Sequence, residues 1–134
     1  MQAGQDYAYC RALGMLAVRE SARWPLIDRG GSYELDGVRA LARLARTAGL
    51  TQIWGLMHYG YPLDVDPFSI EFVERFRRYA AAVAAVVRHE SVGPTYFAPI
   101  NEISFQAWGA DAGHLAPHAP GRGLEFKRQL VRTA

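Results

Sequence analysis

Four polar residues in this sequence carry functional groups that could act together chemically, and each follows an apolar run. Arg19 precedes His58 by 39 residues, and His58 precedes Asn101 by 43; Glu102 comes directly after Asn101. A carboxyl group can act as an acid, an amide and an imidazole can each hold a hydroxyl, and a guanidinium can orient a carboxylate. The set therefore predicts a carbohydrate site if the four side chains converge.

Each of these residues has a simpler explanation when it is taken alone. Arg19 can pair with Glu20, and His58 can be a satisfied interior imidazole or a loop-capping donor. Asn101 can cap a turn. A carboxylate at the end of a buried strand is costly without a partner or a task, so Asn101-Glu102 is the strongest single candidate.

Aromatic side chains close to these residues are candidates for stacking on pyranose faces, although most aromatic residues belong to a core. They are Trp24, Tyr59, Tyr61, Phe105 and Trp108. We assign Tyr59 and Trp108 to substrate binding, together with Arg19, His58 and Asn101.

The apolar periodicity predicts alternating helices and strands that would position these side chains. The predicted helices cover 6–14, 36–48, 70–88 and 125–133, the strands cover 16–18, 51–59 and 95–100, and 29–32 and 109–123 are loops. Asp36 and Ser69 are expected to cap helices, and Gly49 to end one. The charges of the long third helix are expected on a solvated face; they are Glu71, Glu74, Arg75, Arg77, Arg78 and Arg88.

Strand–helix alternation with apolar strands favours an α/β fold with a parallel sheet. The spacing of the strand ends suits the units of a (β/α)8 barrel, of which this chain has three strands. A doubly wound sheet would carry a glycine-rich first turn, and Gly30-Gly31 lies too far from the first strand. We therefore expect one domain over 1–134, a partial TIM barrel incomplete at both ends.

Composition argues against several other classes of protein. The net charge is +2 without a basic block, which disfavours nucleic acid, and the apolar run 79–87 is far too short to span a membrane. No secretory signal is visible, and the single cysteine, Cys10, permits no internal disulfide and fits a reducing compartment, so we expect a cytoplasmic protein. The four histidines show no metal-ligand spacing, and no cofactor is expected.

Three ordered segments resemble family 1 glycoside hydrolases, the β-glucosidase, 6-phospho-β-glucosidase and β-galactosidase group. The segment from Arg19 to Pro25 resembles their Arg-Phe-Ser-Ile-Ser-Trp-Pro, His58 to Pro62 resembles His-Trp-Asp-Leu-Pro, and Asn101-Glu102 matches the start of Asn-Glu-Pro. The resemblance implies a retaining glycosidase of clan A, with this chain covering strands 2 to 4 of the barrel.

The same resemblance implies a role for each matched residue. Glu102 would be the general acid/base, Asn101 would hold the sugar 2-hydroxyl, His58 would contact another hydroxyl, and Arg19 would hydrogen-bond the nucleophile. The chain departs from the family at Ile103, at Tyr59-Gly60 and at Glu20. These departures place it in a divergent subgroup, and the identity of the sugar does not transfer.

The family nucleophile comes from the seventh strand, which lies outside this chain. We therefore expect an inactive fragment of a β-glycosidase that acts on carbohydrate substrates, and we expect its exposed barrel edges to permit self-association. Two alternatives stay open. One is a non-catalytic carbohydrate-binding or scaffold remnant, and the other is a small α/β binding protein in which Glu102 lies far from Arg19 and His58.

Overall fold

The computed structural model describes residues 2–134 and contains six helices and five strands within that range. In chain order the elements are α1 (Gln2–Ala12), β1 (Ala17–Ser21), α2 (Trp24–Ile27), β2 (Asp28–Arg29), β3 (Ser32–Tyr33), α3 (Asp36–Ala48), β4 (Thr51–Met57), α4 (Ile70–Glu90), β5 (Tyr96–Ile100), α5 (Ile103–Asp111) and α6 (Gly123–Thr133).

Three strands form a parallel sheet in the order β1-β4-β5, as the sequence predicts, and β2 and β3 form a separate short hairpin. The register places Arg19 beside Ile53 and Ile53 beside Tyr96, with Ser21, Gly55 and Ala98 in the next row. Paired residues point to the same side of a sheet. We call the side that carries these two rows the inner face.

The opposite side of the sheet is buried under the helices, and we call it the helix face. It carries Gln52, Trp54 and Leu56, all buried. The Tyr79 hydroxyl on α4 donates to the backbone oxygen of Leu56 at 2.9 Å, and the Tyr79 ring stacks on Trp24 at 5.6 Å. Burying large apolar and aromatic side chains of this kind supplies most of the driving force for folding.

Residues at the helix ends explain why α3 and α4 begin and end where they do. The Ser69 hydroxyl accepts a hydrogen bond from the Phe72 backbone nitrogen at 3.2 Å and caps α4, as predicted. Gly49, with φ of 68°, ends α3 in the left-handed conformation, also as predicted. Asp36 was expected to be the N-cap of α3, but Leu35 occupies that position and Asp36 is the first helical residue.

Glu90 ties the end of α4 to α3. Its carboxylate accepts from Arg43 Nε at 2.8 Å and from Arg39 Nη1 at 2.9 Å, and Arg46 donates to its backbone oxygen at 3.1 Å. Hydrogen bonds from Arg43, and secondarily from Arg39, lower the pKa of Glu90 to about 2. The interface between these helices is therefore ionic as well as apolar.

Arg75 contradicts the expectation that the charges of α4 are solvated. Its guanidinium is buried and donates to both carboxylate oxygens of Asp28, at 2.8 and 3.0 Å, and to Asp64 at 2.9 Å. Asp28 also accepts from Trp24 Nε1 and from the Gly31 backbone nitrogen. Burial acts to raise the pKa of Asp28, but the hydrogen bonds led by Arg75 hold it below its usual value.

The structure corrects three further boundaries. β1 continues to Ser21, so Arg19 and Glu20 lie within the strand rather than at its end. The predicted loop over 29–32 is the tight turn of the β2–β3 hairpin. Helix α5 was not predicted, because its apolar and aromatic residues show no amphipathic period.

Within residues 2–134, no helix is both long enough and apolar enough to cross a membrane.

Candidate active site

The four predicted residues lie on or directly after the three parallel strands, toward their carboxyl ends. β4 ends at Met57 and is followed by His58; β5 ends at Ile100 and is followed by Asn101 and Glu102. Arg19 lies on the inner face within β1, two residues before the end of that strand. In (β/α)8 barrels this end of the strands carries the active site.

Arg19 and Asn101 are in direct contact. Arg19 Nη2 donates to Asn101 Oδ1 at 2.7 Å, although β4 lies between their strands. The 2.7 Å separation is that of a charge-assisted hydrogen bond. The first and third segments found in the sequence are therefore joined at one point.

Gln106 on α5 joins the second segment to the third. Its Nε2 donates to the backbone oxygen of His58 at 2.9 Å and, in a shorter hydrogen bond, to the backbone oxygen of Asn101. The Asn101 backbone nitrogen donates to Met57 oxygen at 2.9 Å. Gln106 is buried, and no pattern in the sequence singles it out, because its role depends on α5, which the apolar periodicity does not predict.

Glu102 has an unusual backbone conformation. Its φ is 50° and its ψ is 54°, in the left-handed region, and it immediately precedes α5. Its side chain is exposed, and its backbone oxygen accepts from the Gln106 nitrogen at 2.9 Å. Non-glycine residues in this region are strained and concentrate at functional sites.

Aromatic rings continue from His58 along α5. The His58 ring packs edge-on against Tyr59 at 4.4 Å, Tyr59 lies 5.9 Å from Phe105, and Phe105 lies 5.3 Å from Trp108. Tyr59, Phe105 and Trp108 are 39%, 45% and 57% exposed, and we call these three the aromatic row. All three side chains are therefore partly exposed to solvent.

The other two predicted aromatics are not at the rim. Trp24 is fully buried, between Phe72, Phe76 and Tyr79. Tyr61 is buried and packs on Phe72 at 5.3 Å. Both rings belong to the core, so the expectation that they stack on a sugar is wrong.

Glu20 belongs to the helix face rather than to the site. It accepts a short hydrogen bond from the Tyr7 hydroxyl of α1, and Gln52 Nε2 donates to the same hydroxyl at 3.2 Å. Burial, with the neighbouring Glu20 carboxylate, raises the pKa of Tyr7. The acidic residue in the Arg19 segment is therefore an anchor for α1, and Arg19 pairs with Asn101 instead of with Glu20.

Gly60 allows the His58 segment to approach α2, the short helix after β1. A Cβ atom at Gly60 would lie 3.2 Å from Pro25 Cγ, closer than most side-chain contacts. The close approach of Gly60 to Pro25 therefore brings the Trp24-Pro25 and His58-Tyr59 segments together.

No protein-family model matches the chain, and no curated protein matches it significantly. Solved glycosidase structures do match its fold. The virulence factor SghA, solved with its substrate analog salicin, superposes with a TM-score of 0.83 at 23% identity over 96% of this chain and 30% of its own. A beta-glycosidase from Pyrococcus horikoshii gives 0.80 at 19% identity over 95% and 32%. Beta-glucosidase 2 from Trichoderma reesei, in complex with Tris, gives 0.81 at 19% over 98% and 32%.

The chain spans about a third of the length of these proteins. At this level of identity the likeness establishes the fold. The chain therefore has the fold of one part of a (β/α)8 barrel, with three parallel strands and their flanking helices.

Proposed function

We propose that Arg19, His58, Asn101 and Glu102 form one half of a retaining β-glycosidase site. The observation that carries this proposal is the 2.7 Å hydrogen bond from Arg19 to Asn101, which joins β1 and β5 directly beside Glu102. The strained backbone of Glu102 and the exposed aromatic row next to it support the same assignment.

Each residue has a role that its chemistry can perform. Glu102 is the general acid/base, which protonates the leaving oxygen and then activates water. Asn101 and His58 hydrogen-bond sugar hydroxyls, and Arg19 orients a second carboxylate. Tyr59 and Trp108 offer ring faces to the substrate. A glycoside is the expected substrate class.

The nucleophile is the missing part of this proposal. Retaining hydrolysis needs a second carboxyl group about 5–5.5 Å from the first. Glu20 is held by Tyr7, and Asp28 and Asp64 are held by Arg75. None of these three is free to attack a sugar, and the strand that carries the nucleophile in the glycosidases that this chain resembles is not among β1, β4 and β5. We therefore expect no hydrolysis of glycosides by the chain alone.

An assay on 4-nitrophenyl β-glucoside and β-galactoside tests this, with the Glu102→Gln variant alongside. We expect no hydrolysis above background from either protein. Hydrolysis that disappears in Glu102→Gln would support the role of Glu102 and contradict the absence of a nucleophile. Equal hydrolysis by both proteins would contradict the role of Glu102.

A non-catalytic carbohydrate-binding function is the second candidate, and the exposure of the aromatic row favours it. Isothermal titration calorimetry with cellobiose measures binding without a fluorescent reporter, so the exposed Trp108 can itself be replaced. Binding that survives Glu102→Gln but is lost in Trp108→Phe would favour the binding function. Binding that Glu102→Gln weakens would favour the glycosidase site.

A further inference from the structure

The hydrogen bonds of Asn101 leave one of its groups free. The backbone nitrogen donates to Met57, the backbone oxygen accepts from Gln106, and Oδ1 accepts from Arg19. Among residues 2–134, Asn101 Nδ2 has no such partner. Because a guanidinium can only donate, the atom of the Asn101 amide that faces Arg19 must be the oxygen. The orientation of the amide is therefore set by Arg19.

Gly55 has no side chain, and it therefore leaves space for the Arg19 side chain to cross β4 and contact Asn101. It lies on β4 between the two strands, in the row of small residues that also contains Ser21 and Ala98. A Cβ atom built at Gly55 would lie 3.9 Å from Arg19 Nη2 and 3.4 Å from the backbone oxygen of Glu20. These are ordinary contacts, so alanine would fit. A larger, β-branched side chain would occupy the space of the guanidinium.

We propose that Gly55 and Arg19 are positioning residues for the Asn101 amide. They fix it with Oδ1 toward Arg19 and Nδ2 away from it, so that Nδ2 can donate a hydrogen bond to an oxygen atom of the ligand. The proposal rests on the proposed function for the identity of the ligand, a glycoside. The positioning itself is a property of the free protein, and it can be measured without any ligand.

A double-mutant cycle on the free protein tests the positioning. Arg19→Met and Asn101→Ala, singly and together, are compared by chemical denaturation. We expect the two positions to be coupled by about fivefold in the unfolding equilibrium constant, the value of one net hydrogen bond. A coupling factor indistinguishable from one would overturn the proposal.

Gly55→Val tests whether the space at Gly55 is needed for the contact between Arg19 and Asn101. Repeating the cycle in this background should abolish the coupling, whereas Gly55→Ala should retain it. Ala17→Val is the matched control, because Ala17 lies on the inner face one row before Arg19, away from Asn101. Coupling that persists in Gly55→Val would overturn the role of Gly55. If Gly55→Val does not fold, Gly55→Thr takes its place.

Asn101→Asp tests the direction of the hydrogen bond to the ligand. Its carboxylate still accepts from Arg19 but has no donor to offer. The Asn101 side-chain NH2 signals, identified in a ¹⁵N NMR spectrum by their loss in Asn101→Asp, should shift on titration with methyl β-glucoside. The affinity of Asn101→Asp should fall about fivefold or more, since one hydrogen bond is lost.

The outcomes separate this inference from the proposed function. Coupling without any response to methyl β-glucoside supports the positioning and counts against the glycoside site. A glycoside response without coupling supports the site and overturns the positioning. Unchanged affinity in Asn101→Asp would overturn the donor role of Nδ2.

Discussion

At the scale of single residues, Glu102 combines exposure with strain. Its backbone is left-handed, and it lies directly after β5, one position beyond the residue that Arg19 holds. Stability alone would favour glycine at such a position, because a side chain is disfavoured there. The proposed role of Glu102 as the general acid/base would account for a carboxylate at this strained position.

The substitution Glu102→Gly should stabilise the protein while removing the carboxylate. We expect the free energy of unfolding to rise by about 0.5–1 kcal/mol, since relief of left-handed strain exceeds the added flexibility of glycine. Urea denaturation measures the change. Glu102→Ala is the control, because it removes the same carboxylate but keeps the strain. A stability gain in both variants would show that the carboxylate, rather than the backbone, is the source of strain.

At the scale of elements, one buried arginine fixes two of the connections that flank the site. Arg75 on α4 holds Asp28, at the start of β2 in the connection that follows β1, and Asp64, in the loop that follows His58 and Tyr59. Gly60 against Pro25 joins the same two connections from the other side. The positions of Arg19 and His58 therefore depend on α4 as well as on their own strands.

Replacing Arg75 by methionine should destabilise the protein strongly. Loss of this partner leaves Asp28 buried and unpaired, which typically costs about 3–5 kcal/mol. Guanidinium chloride denaturation measures the loss. Arg78→Met is the matched control, since the ion pair of Arg78 with Glu71 is exposed and should contribute little. A loss in Arg75→Met no larger than the control would contradict a structural role for the buried pair.

At the scale of the whole molecule, the sheet has two unpaired edges and one uncovered face. β1 and β5 each pair on one side only within residues 2–134. On the inner face Ile53 is 38% exposed and Tyr96 is 50% exposed. In a closed barrel the corresponding side chains fill the interior. Open edges and exposed apolar surface are both known causes of association.

The chain should therefore self-associate as its concentration rises, and a charge on the inner face should oppose this. We expect Tyr96→Lys to lower the associated fraction in sedimentation velocity experiments. Tyr9→Lys, which alters an exposed aromatic on α1, is the control. A monomeric chain at all concentrations, or an equal effect of both substitutions, would contradict association through the inner face.

The sequence by itself determined the order of the main elements and the candidate residues. Continuous apolar runs, apolar residues at helical spacing, Ser69 as a cap and Gly49 as a stop are local signals, because they depend on neighbours in the chain. Arg19, His58, Asn101 and Glu102 were found in the same way, from strand ends at regular spacing.

Tertiary structure decided which side chains meet. The burial of Trp24, Tyr61 and Arg75, the engagement of Glu20 by Tyr7, and the contact of Arg19 with Asn101 all depend on residues distant in sequence. No local pattern distinguishes an arginine on a solvated helix face from one that faces a buried aspartate. The path of Arg19 over Gly55 exists only because β4 lies between β1 and β5.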